Sequence, residues 1–219
     1  MVAGGSGHGC GHNLLGSAAL LAATACALSL AAVTVPAAAQ AKSSYTSAVY
    51  KRVASVYRTM SLTRYDHHLY VNERRGVYKF DCVGMVDYML RGSAPEARAA
   101  IRRVRHIANG YVPSPRSFTK YFGQVAVAGS KSWQIISDLS QIRPGDVIVR
   151  DTYDGPGKRI VGHALIAAGT PMRTSSGSFS LAVFDSTGSP HGGGDSRSSD
   201  KRTMVAGQHV GTGLGRGTV

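Results

Sequence analysis

The chain has 219 residues, 43% of them hydrophobic, and a formal net charge of +13 from 25 Lys and Arg against 12 Asp and Glu. All of these charged side chains follow residue 41, so the positive field belongs to Lys42–Val219, a length that suits one domain with a core of useful size. That field favours polyanions such as cell-wall polymers and anionic lipid headgroups, the alternative being a solvated basic surface with no specific partner; the basic residues are scattered (Lys51-Arg52, Arg74-Arg75, Arg102-Arg103-Arg105, Lys201-Arg202) without a recognisable nucleic-acid module, which argues against nucleic acid.

Residues 1–41 are small or apolar almost throughout from Leu14 to Ala39 and read as a signal peptide, with an A-x-A peptidase site between Ala41 and Lys42. The expected location is therefore secreted or cell-envelope, with no membrane span left after cleavage; an uncleaved anchor is the alternative, because the run is long enough to span a bilayer. Cys10 and Cys26 leave with this segment, so the mature chain keeps Cys82 alone. One thiol excludes a disulfide framework, and an unpaired thiol in an oxidising compartment usually has a chemical reason.

Val49, Val53, Val56, Tyr57 and Met60 recur at threes and fours, which predicts an amphipathic helix over Ser44–Met60. Ser61–Lys79, rich in Tyr, His and charge without a clear period, reads as a structured loop. Its His67-His68 pair has no ligand set around it and reads as structural or surface, so no metal or cofactor is expected. Phe80–Leu90 opens a helix with Asp81 at its start and Cys82 in the first turn. There the helix dipole and unpaired backbone N–H groups push a thiol toward the thiolate; the alternative is that Cys82 is a small buried hydrophobe.

Ser93-Ala94-Pro95-Glu96 has the form of a capping box, with a helix following to about Ile107. Tyr111–Pro115 reads as a turn and Ser117–Phe122 as a short helix. Ile142–Asp146 is a turn feeding a strand that ends at Arg150; Arg159–Gly169 is a second, mostly apolar strand, and Phe179–Ser186 a third. Short connections favour antiparallel pairing. Helices first and strands afterwards give an α+β domain. From about residue 187 the chain is rich in Gly, Ser and Arg and reads as a flexible tail, or as a loop whose following strand is missing.

A reactive thiol needs a base and a third group to orient that base. His163, a polar ring in an apolar strand, is the best base, and Asp185, at the end of the next strand, can reach the far nitrogen of the imidazole. Taken alone, His163 can also be a satisfied core histidine.

Three blocks carry a resemblance: Phe80-Asp81-Cys82-x-Gly84-Met85-Val86, Arg143-Pro144-Gly145-Asp146-Val147-Ile148 and Gly162-His163-Ala164-Leu165-Ile166. In order and spacing they resemble NlpC-type cell-wall hydrolases, papain-like cysteine peptidases that cut amide bonds in peptidoglycan stem peptides. The resemblance covers roughly Tyr65–Arg197. It implies a papain-like fold with N-terminal helices packed on a small antiparallel sheet, Cys82 as nucleophile, His163 as base and Asp185 as third residue, without a cofactor. It also implies an oxyanion role for Tyr70, twelve residues before the nucleophile. The family's Ser after the nucleophile is Val83 here, and its Gly-Gly after the tyrosine is replaced by Asn72-Glu73. Because His163 and Asp185 lie far apart for a hairpin return, His191 and Asp195 are alternative third residues or substrate contacts. Arg197 can read a substrate carboxylate or be a plain surface residue.

The expectation is a monomeric secreted hydrolase acting on peptidoglycan. The alternatives are a catalytically silent basic wall-binding domain and an amidase or acyltransferase using the same triad on a small substrate.

Overall fold

Helix α1 (Ala37–Thr59) buries Val49, Val53 and Val56 on one side and leads into buried Met60, the face that their spacing predicts. The structure is a computed structural model describing residues 37–103, 112–153 and 159–219. Residues 1–36 of the expected signal peptide, and the expected end of a helix at Ile107, lie outside the described residues; Ala37–Ala41 open α1. No helix among the described residues is long and apolar enough to cross a membrane.

The stretch expected as a loop instead contains three short strands, β1 (Leu62–Arg64), β2 (Tyr70–Asn72) and β3 (Val77–Lys79), in the order β1-β3-β2 with β1 and β3 parallel. Three-residue strands are too short to show a period in sequence. The return from β2 to β3 needs Gly76, whose φ of +63° is left-handed and where a Cβ would lie 2.9 Å from the Ser61 nitrogen.

Helix α2 (Cys82–Ser93) starts on Asp81, whose side chain accepts the Gly84 N–H at 2.7 Å. Every residue from Cys82 to Leu90 is buried, so this is the central helix of the domain. Asp87 is tolerated in that position because Arg98 donates to both of its oxygens at 2.8 Å. Ser93 does not cap the next helix: its hydroxyl donates back to the Met89 carbonyl at 2.7 Å, closing α2, and α3 (Pro95–Arg103) begins directly on its proline. Helix α4 (Pro115–Ala128) is longer than expected, starting on a Ser114/Ser117 capping box and running past Phe122 because Val125 continues the buried face of Phe118 and Tyr121.

The remaining strands are β4 (Val147–Tyr153), β5 (Arg159–Ala167), the β6–β7 hairpin (Met172–Arg173, Phe179–Ser180), β8 (Ala182–Thr187), the β9–β10 hairpin (Met204–Val205, Gln208–His209) and β11 (Gly213–Thr218). The main sheet has the order β11-β8-β5-β4 and is antiparallel throughout. Side chains alternate across it: Ala164, Ile166, Phe184 and Leu214 face the helices, while Leu165, Ala167 and Val183 join Ile142 and Leu181 in a second cluster. The domain is α+β.

Strand β11 lies in the segment expected to be a tail. Its glycines 213, 215 and 217 share one face, and that face is covered: a Cβ on Gly215 would lie 2.6 Å from Arg197 Cγ, and one on Gly217 2.6 Å from Asp195 Oδ2. The Gly-x-Gly-x-Gly run is thus a strand stripped of side chains so that two buried polar residues can lie across it.

Candidate functional site

Strands β5 and β8 pair at Ile166–Phe184 and Ala167–Val183, and toward His163 and Asp185 the pairing stops. The start of α2 enters the fork. On one side the Ser186 hydroxyl donates to the Phe80 carbonyl at 2.6 Å; on the other the backbone N–H of Ala164, the residue after His163, reaches the Cys82 sulfur. The Phe80 carbonyl also accepts the Asp66 N–H at 3.3 Å, which ties the turn to the β1 side.

Burial decides the state of the thiol. Cys82 is 5% exposed, and loss of hydration pushes its pKa up to about 11; the N–H groups of Ala164 and Val83 favour the thiolate but do not outweigh burial, and the carboxylates of Asp81 and Asp185 oppose it further. The expectation of a thiol displaced toward the thiolate is corrected here: the helix start is favourable, but it sits inside the core. Asp185 is nonetheless close enough for its charge to be felt at the sulfur.

His163 Nε2 meets Asp185 Oδ2 at 2.7 Å, leaving Nδ1 uncommitted to the carboxylate. His191 Nε2 meets the same oxygen at 2.7 Å, and the two rings lie 5.8 Å apart. Asp185 is fully buried. Burial disfavours its charge, but the His163 bond, the Arg197 charge and the His191 bond together hold its carboxyl below the ordinary carboxylate value.

Arg197 explains how that carboxylate is held. Its Nη1 donates to Asp185 Oδ1 at 2.8 Å, to the Asp185 carbonyl at 2.9 Å and to the Gly213 carbonyl at 3.1 Å, and Nη2 donates to Asp195 Oδ2 at 2.6 Å. Arg197 is 0% exposed, so it is a positioning residue and not the substrate reader or surface residue expected. Asp195 is not a third residue either: it accepts the His191 and Arg197 backbone N–H groups and the Arg197 side chain. His191 joins Asp185 as a second imidazole instead of replacing it.

Tyr70, expected near the oxyanion position, is 51% exposed on β2 with Lys79 Nζ 5.6 Å from its ring centre. The tyrosine that senses Cys82 is Tyr65: its pKa is raised by burial first, then by the Cys82 and Asp81 charges. Its ring packs edge-on against His67, whose Nδ1 lies 3.2 Å from Asp81 Oδ2. Spacing from the nucleophile points to Tyr70, and nothing local in the sequence distinguishes Tyr65.

His163, Asp185 and His191 each offer one ligating atom, all within 4.8 Å of one another, so this trio could hold a metal ion. A separate cavity of about 780 Å3 lies on the α1 side of β4, lined by Tyr50, Leu90, Trp133, Ile136, Asp146 and Val147; none of the candidate site residues borders it. Comparison with protein-family models, curated proteins and solved structures found no match to this chain.

Proposed function

We infer that the chain is an exported thiol hydrolase of papain-like fold that cleaves peptide or amide bonds in peptidoglycan stem peptides. The reading is carried by one observation: the only cysteine among the described residues lies against the peptide that follows His163, a histidine whose far nitrogen is held by a buried, anchored carboxylate.

In this reading Cys82 rests as a neutral thiol. As the sulfur attacks the scissile carbonyl carbon its proton passes to His163 Nδ1, and Asp185 stabilises the imidazolium that forms. The Cys82 backbone N–H, at the unpaired start of α2, supports the tetrahedral oxyanion. His163 then protonates the leaving amine, and water, deprotonated by the same ring, releases the acyl group and returns the proton to sulfur. The +13 charge would hold the enzyme on anionic wall polymer.

The burial of the thiol favours a second reading, a silent wall-binding domain that keeps the architecture without the chemistry. Cys82→Ala separates the two. The hydrolase reading expects a folded variant that releases no soluble fragments from purified peptidoglycan and still sediments with it at low salt. Equal release by wild type and variant overturns it.

A further inference from the structure

We propose that His163, Asp185 and His191 form a site for a divalent transition-metal ion, and that filling it switches His163 off as a base. The site itself rests on ligand geometry; only the switch rests on the hydrolase reading.

Orienting a catalytic imidazole takes one carboxylate and one ring. Here a second ring, His191, aims Nε2 at the same oxygen that His163 uses, each at 2.7 Å. Two imidazole nitrogens and a carboxylate oxygen are a common donor set for Zn2+, and three protein ligands leave one coordination position open. Metal–ligand bonds of about 2.0–2.1 Å at tetrahedral angles separate neighbouring ligands by roughly 3.3 Å. Each Nε2–Oδ2 gap therefore has to widen by roughly half an ångström, and the widest separation in the trio, 4.8 Å, has to close to roughly 3.3 Å. His191, on the loop after β8 and followed by Gly192, Gly193 and Gly194, is the ligand that moves.

The surroundings suit a cation. Arg197 grips the opposite oxygen, Oδ1, and so fixes the ligand carboxylate as outer-shell partners do in metal sites. Its positive charge is matched by Asp195, so an incoming ion does not face an unpaired cation.

The switch follows from proton positions. With Nε2 donating to Asp185, each neutral ring carries its proton there and keeps a lone pair on Nδ1. A metal ion takes the Nε2 lone pair, and the ring proton moves through solvent to Nδ1, with no net proton released. His163 Nδ1 is then an N–H donor and cannot accept the Cys82 proton.

The test is calorimetric titration of the metal-free full chain with ZnCl2, beside His191→Gln, His163→Gln and Cys82→Ser. Wild type and Cys82→Ser should bind the same number of ions, and each histidine variant one fewer, or that ion at least about tenfold more weakly; the two variants cover each other should one fail to fold. Undiminished binding in the folded histidine variants, or loss of the ion in Cys82→Ser, overturns the site. Peptidoglycan release by wild type should fall at least about tenfold when the site fills and return with a chelator; full activity in the zinc-loaded protein overturns the switch. If metal-free wild type releases nothing, the hydrolase reading fails while the stoichiometry still decides the site.

Discussion

Replacing Gly215 by alanine would build a methyl group 2.6 Å from Arg197 Cγ and 2.8 Å from its Cζ and Nε. An arginine at a surface would swing aside, but Arg197 is 0% exposed and its terminal nitrogens are held by Asp185, Gly213 and Asp195. Overpacking a filled interior costs about 1–3 kcal/mol, and misaligning one hydrogen bond to a charged group adds about 1.5–3 kcal/mol. A loss of about 3 kcal/mol would lower Tm by about 6–12 °C for a domain of this size. The paired control is Gly123→Ala on the exposed side of α4, where nothing lies within 4 Å of the new methyl. There the helix gains about 0.5–1 kcal/mol from reduced backbone freedom in the unfolded chain, and Tm should rise. Thermal melts followed by circular dichroism read both. A Gly215→Ala melt within about 2 °C of wild type, about 1 kcal/mol or less for a domain this size, would refute the argument that β11 is bare in order to seat the arginine that anchors Asp185.

Two further outcomes follow from the site. Because burial raises the Cys82 pKa from 9.0 to about 11, the unfolded thiol ionises first as pH rises. The stability held below pH 9 is therefore lost between the two values. At pH 10 wild type should have lost about 1.4 kcal/mol relative to Cys82→Ala, compared with the same pair at pH 7; denaturant titration reads this, and a difference independent of pH would show that the thiol is hydrated. Tyr70→Phe, at a ring 51% exposed on β2, should leave kcat and KM on peptidoglycan unchanged; a fall in kcat of about 10²–10³, the usual loss for one oxyanion donor, would return the oxyanion role to Tyr70.

Much of the architecture was legible because it is locally encoded. The threes and fours of α1 and the apolar run of α2 mark their buried faces, and β4, β5 and β8 lie close to where alternation and turn residues put them. Cys82, His163 and Asp185 stood out by chemical type: the one thiol past residue 41, and polar groups in apolar strands. Less legible were the short strands β1–β3, and Ser93, whose box-like spacing hides a bond back into α2.

Local pattern thus determined the longer helices and the strands β4, β5 and β8, but not β1–β3 or β11, and residue chemistry determined which side chains could react. Tertiary structure alone decided what state they are in. Whether the thiol ionises depends on how deeply α2 is packed, and whether Arg197 meets solvent or Asp185 depends on a glycine strand folding back beside β8. Which tyrosine senses the sulfur depends on the path of the chain around β1. Burial and charge pairing arise between residues far apart along the chain, and no local pattern records them.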